Sequence, residues 1–146
     1  MNNPFSEDKL HRLFEIDLTR PDRIKRREST TLELKENFSL APDAKVEYGR
    51  TMAAFANRDG GYILYGIKNQ PHTMTGMTND RFETMDPRTL SQFLAEHFSP
   101  NINWQHHVHT IGDKRFGLIS VSPAKRKPVV CTKINSKLRD GDIYYR

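Results

Sequence analysis

A single cysteine, Cys131, leaves this chain without an internal disulfide, so nothing in its cysteine usage speaks for an oxidising compartment. Long hydrophobic runs are missing too. The most apolar stretch, Tyr62–Ile67, falls far short of the ~20 residues that a membrane helix needs. The first ten residues carry Glu7 and Asp8 and lack the apolar centre of a signal peptide. A soluble, cytoplasmic protein with no membrane partner is therefore the expectation. Internal repeats and low-complexity tracts are also absent. What is present suits one compact core: 36% hydrophobic and 28% charged residues over 146 positions, a length at which folding buries roughly 70% of the unfolded chain's surface.

The formal charge of +5 is unevenly spread: Met1–Arg27 carries +2, Glu28–Ile119 −2 and Ser120–Arg146 +5. Both ends are basic around a slightly acidic middle. Arg20, Arg23, Lys25, Arg26 and Arg27 form one cluster, and Lys125, Arg126 and Lys127 another. Each is able to attract phosphates, although a run of this kind also serves as a plain solvated surface.

Ser6 followed by Glu7 and Asp8 predicts a capped helix with an apolar stripe at Leu10, Leu13, Phe14 and Ile16, ending near Pro21. The basic cluster then reads as a linker. Thr30–Leu34 alternates as a half-buried strand, with Glu33 and Lys35 on its polar face. Ala41-Pro42-Asp43 opens a second helix that places Val46, Met52, Ala53 and Ala56 towards a core and stops before Asp59-Gly60-Gly61. Tyr62–Ile67 follows as a central strand, ended by Asn69-Gln70-Pro71. Asp86-Pro87 caps a third helix through Leu90, Phe93, Leu94 and Phe98, and strands are expected at 102–111, 115–121, 128–132 and 143–145. The fold class is α+β: one domain with a mixed sheet and about three helices. The strand-like end at Ile143-Tyr144-Tyr145 suggests a module cut from a longer protein, with a natural terminal strand as the other reading.

Four separated pieces fall into one ordered pattern: Glu28–Lys35, Ala54–Ile67, Pro128-Val129-Val130 and Ile143–Arg146. In these the chain resembles the Schlafen-type AlbA domain over residues 28–146, most specifically in Ala54-Phe55-Ala56-Asn57 with the paired glycines and apolar strand behind it. Residues 1–27, the N-terminal helix and basic linker, lie outside the resemblance. Members of that family are described as DNA-binding modules of bacterial regulators and as the core of Schlafen endoribonucleases that act on structured RNA such as tRNA.

Glu33 and Lys35, two apart on a strand, suit a metal-dependent nuclease, the carboxylate holding Mg²⁺ or Mn²⁺ and the ammonium facing charge on a phosphate. Taken alone, an exposed Glu-x-Lys is usually just a solvated pair. The resemblance adds Glu28, matching a glutamate five residues before the strand glutamate in the ribonucleases. A third acidic residue is implied beyond Gly66, where this chain has Lys68 and Asn69, so catalytic Glu28, Glu33 and Lys35 and a metal set of Glu28, Glu33 and Asn69 would lack one charge. Asp59 stands at the wrong end of the strand to replace it. Gly60-Gly61 reads as a tight turn, since no GK[ST] follows. His107 and His109 share a strand face, with His106 opposite, and read as exposed histidines; Cys131 reads as a small strand residue.

Three readings result. In the first, Arg23, Lys25, Arg26, Arg27, Lys35, Lys125, Arg126 and Lys127 contact the phosphates of DNA or RNA. In the second, the domain is a divalent-metal endoribonuclease. In the third, it is a regulatory or assembly module whose final strand pairs with a partner chain. No cofactor is required by the first, homo-oligomers are left open, and so are further domains beyond Arg146.

Overall fold

A computed structural model describes residues 3–135 and 137–146. Helix α1 (Glu7–Leu13) is followed by β1 (Ile16–Asp17), β2 (Arg20–Ile24), β3 (Leu32–Lys35), α2 (Pro42–Ala56), β4 (Gly61–Tyr65), β5 (Ile67–Lys68) and β6 (Thr73–Met74). Then come α3 (Arg81–Thr84), α4 (Pro87–His97), β7 (Phe98–Ser99), β8 (Trp104–Ile111), β9 (Lys114–Val121) and β10 (Val130–Cys131). The main sheet is mixed, in the order β3-β4-β9-β8, with β3 parallel to β4 and the other pairs antiparallel. A second, irregular sheet runs β1-β2-β6-β5, and β7 pairs with β10. The α+β class with a mixed sheet is as the sequence leads one to expect.

Both faces of the main sheet are covered. Leu32 and Leu34 of β3 point with Leu64, Phe116 and Leu118 into a core closed by Leu10, Leu13 and Phe14 of the N-terminal segment. Ile63, Tyr65, Ile119 and Val121 point the other way, into a larger core under α2 and α4. The segment before Glu28 thus contributes to the domain's core. Its shape departs from expectation: the helix stops at Leu13, with the Phe14 N–H bonded to the Leu10 carbonyl, and the supposed linker is in part a strand. Asp17 accepts from the Thr19 N–H at 2.9 Å and the Thr19 hydroxyl at 2.7 Å, an Asx turn that reverses the chain and competes with helix at this point. Pro21 sits in β2 at a position paired with neither neighbour, where its missing N–H costs nothing.

Ser6 caps α1 as the sequence indicates, its hydroxyl accepting from the Lys9 N–H, and Asp86 caps α4 by accepting from the Arg88 N–H. The central strand breaks at Gly66, whose φ of +108° suits only glycine; a Cβ there would lie 2.7 Å from the Phe116 ring. That break hands the chain from the main sheet to β5 of the second. Gly60, at φ +78°, makes the tight turn expected after α2. The last expectation fails: residues 143–146 form no strand. They run beside α2, held by side chains rather than by a ladder, since Asn57 and Arg58 donate to the carbonyls of Tyr144 and Arg146. The assembly reading loses the strand on which it was built.

Candidate functional site

The cations of the N-terminal cluster stand on the ridge formed by β2 and the residues after it. Between this ridge and the β5–β6 turn lies a cleft of about 400 Å³, lined by Arg23, Lys25, Arg26, Arg27, Asn69 and His72. Lys25 and Arg27 also line a larger cleft of about 830 Å³ against Phe14 and His109. Arg26 reaches a third, of about 310 Å³, beside Lys9, Arg12 and the Asp59–Gly60 turn. Five residues of chain thus serve three adjoining depressions. Lys25 is partly neutralised by Glu15 at 3.4 Å, and Arg26 is steadied by the Arg12 carbonyl at 3.1 Å.

One cation of the second basic cluster reaches the turn that Arg26 borders. Lys125, Arg126 and Lys127 are exposed after β9, and the Lys127 ammonium donates to the Arg58 carbonyl at 2.7 Å. Arg58 precedes the Asp59–Gly60 turn that Arg26 borders from the other side. Lys35 stands apart from this group, in an ion pair with Glu47 of α2.

Glu33 is not on a solvent face. In register with Ile63, it lies on the α2 side at the rim of the edge strand, its side chain 13% exposed. Glu28 is brought beside it, and burial, with the Glu28 charge adding, pushes the Glu33 carboxyl above the usual range against the pull of Arg146. The Arg146 guanidinium is 3.5 Å from Glu33. It donates to the Ser29 carbonyl at 2.7 Å and the Leu32 carbonyl at 2.9 Å, and it stacks 4.9 Å from the Phe55 ring centre. Deeper on the same side, the fully buried Tyr65 hydroxyl has no hydrogen-bond partner among the described residues, and burial holds its pKa well above the ordinary value.

The family pattern of Schlafen, AlbA_2 matches residues 28–146. The chain belongs to this family. It is 36% identical over 138 residues to an uncharacterised ATP-binding protein of Ureaplasma parvum, a match covering 84% of this chain and 38% of that relative. Two solved structures share the fold. The DIP2311 protein of Corynebacterium diphtheriae superposes with a TM-score of 0.52 at 18% identity, over 76% of this chain and 21% of that one. The N-terminal domain of a RecG-related protein of Nitrosomonas europaea gives 0.50 at 24% identity, over 83% and 80%. The AlbA_2 chain spans well under half the length of the Ureaplasma relative.

The metal set suggested by the resemblance does not fit a divalent cation in this AlbA_2 domain. Glu28 and Glu33 converge, but the Arg146 guanidinium already stands 3.5 Å from Glu33, and Asn69 lines the basic cleft. Among the described residues no group of three or more His, Cys, Asp or Glu side chains could hold a metal ion. His107 and His109 share a face, as expected, but are half-buried rather than exposed: His107 stacks on Phe5 and the His109 ring lies tilted against Phe14, each at 5.0 Å between ring centres. Cys131 is buried in a strand.

Three residues of this neighbourhood carry no role in the sequence reading: Arg146, Arg50 and Asn57. Asn57 and Arg146 do stand in the motifs that carry the resemblance. Their partners, up to 117 positions away, are what local patterns cannot show.

Proposed function

We propose that this AlbA_2 domain binds nucleic acid through its phosphates, along the ridge of Arg23, Lys25, Arg26 and Arg27 and on towards Lys125, Arg126 and Lys127. The observation that carries this reading is the row of cations from Arg23 to Arg27 with clefts on either side of it, and one cation of each cluster, Arg26 and Lys127, at the Arg58–Gly60 turn. Neighbouring cations sum their fields and neutralise several phosphates at once, which isolated surface charges do not. Phosphate contacts of this type would position a strand without selecting its sequence. Lys35, neutralised by Glu47, belongs outside this surface.

The reading is tested by reversing charge on the ridge. The Arg26→Glu/Arg27→Glu double variant is expected to weaken retention of both duplex DNA and structured RNA at low salt by at least an order of magnitude, at unchanged thermal stability. Retention equal to that of the wild type would leave the ridge as an ordinary solvated surface.

A further inference from the structure

We infer that the cleft between α2 and the C-terminal segment takes one unstacked nucleotide of a single-stranded or looped nucleic acid, its phosphate towards Arg50 and its base on the ring of Tyr145. This rests on the nucleic-acid reading above and adds a preference to it. The cleft, of about 220 Å³, is lined by Arg50, Thr51, Ala54, Tyr144, Tyr145 and Arg146, with Glu47 at its edge. It is smaller than the ~300–1,000 Å³ pockets that enclose drug-sized ligands, so it suits a phosphodiester with the base laid across its mouth.

The chemistry around the cleft supports that division of roles. Glu47 would repel a phosphate, but Lys35 pairs with it. The Arg50 guanidinium lies 5.2 Å over the Tyr144 ring, which orients its plane, and among the described residues it forms no ion pair. Tyr145 is 64% exposed and, among the described residues, its ring stacks on no other side chain. Its backbone is nevertheless fixed on both sides. The Asn57 amide donates to the Tyr144 carbonyl at 3.1 Å, Arg58 donates to the Arg146 carbonyl at 2.9 Å, and the Arg146 guanidinium is tied to the carbonyls of Ser29 and Leu32. An aromatic ring held open on an anchored backbone beside an unpaired guanidinium is the combination by which single strands are gripped, since every base offers a face to stack. A duplex, whose bases are already stacked, gains nothing from Tyr145.

The test compares a labelled oligo-uridine with a blunt duplex by fluorescence anisotropy at low salt, using the wild type, Tyr145→Ala, Tyr145→Phe and the Arg26→Glu/Arg27→Glu control. Tyr145→Ala is expected to lose about tenfold in affinity for oligo-uridine and nothing for the duplex. Tyr145→Phe, which keeps the ring, should match the wild type. Equal binding of oligo-uridine by Tyr145→Ala and wild type overturns the inference, and so does an equal loss on both probes or a loss in Tyr145→Phe. A wild type that holds the duplex, with that binding lost in the ridge control, but does not hold oligo-uridine refutes the cleft alone. One that holds neither probe refutes the phosphate-binding reading along with it.

Discussion

Glu33 is pulled in two directions: the Arg146 guanidinium favours its charged form, while burial and the Glu28 carboxylate favour the neutral one, and the second influence prevails. A folded-state pKa above the unfolded value means that folding favours the protonated group. Its contribution is then fully present below the ordinary glutamate pKa and is lost as the pH rises through the elevated one. Glu33→Gln, neutral at every pH, should therefore melt higher than the wild type at neutral pH, with the difference shrinking towards zero in acid. Melting lower than the wild type at neutral pH would mean that the ion pair with Arg146 outweighs the burial. Asn57 is the other residue on which this corner depends. Its amide donates to the Val129 carbonyl at 3.0 Å and the Tyr144 carbonyl at 3.1 Å, and its side-chain oxygen accepts from the Val129 N–H at 2.6 Å. Truncation to alanine strands a buried N–H and two carbonyls, so a loss of about 2–4 kcal/mol in chemical denaturation is expected; less than about 0.5 kcal/mol would show that water replaces the clasp. Glu28 and Glu33 are visible as a pair through the family resemblance, which implies a glutamate five residues before the one on the strand. The sequence hides Arg146 and the role of Asn57, because long-range partners leave no local spacing.

Among the elements, those announced by backbone chemistry were legible and those announced by periodicity alone were less so. Pro42 opens α2, Gly60 turns the chain after it, and Asp86-Pro87 opens α4, each through a conformational restriction that holds in any context. The N-terminal stripe misled because Ile16 continues the helical spacing of Leu10 and Leu13 while standing in a strand, 38% exposed. The final strand misled because Tyr144 and Tyr145 have β-forming side chains but no neighbouring ladder to join. What no pattern announced is that α1 and its hairpin roof one face of the main sheet. Phe14 is the centre of that contact, 5.1 Å from Phe116 and 5.0 Å from His109 between ring centres. Phe14→Ala should lower unfolding free energy by about 3–5 kcal/mol, as for other large core truncations. A cost below about 1 kcal/mol in urea denaturation would make the N-terminal segment a loosely attached arm.

For the molecule as a whole, the separation of charge is the property that the sequence shows and the fold completes. The basic ends of the chain are far apart in sequence, and the fold brings Arg26 and Lys127, one cation from each, to the same turn, while Glu33 is held on the α2 side of the edge strand beside Arg146. A surface arranged in this way acts through displaced counterions, so its affinity must depend on salt with a slope set by the number of phosphates neutralised, about −0.9 per contact on duplex DNA. The most direct measurement is a salt titration of duplex binding by the wild type and by the Arg26→Glu/Arg27→Glu and Lys125→Glu/Arg126→Glu/Lys127→Glu variants, plotted as the logarithm of affinity against the logarithm of salt concentration. The account predicts a steep line for the wild type and a shallower one for each variant, with both basic clusters contributing. A wild-type slope near zero, or variants whose lines coincide with it, would contradict the central claim that the two basic clusters are a phosphate-binding surface.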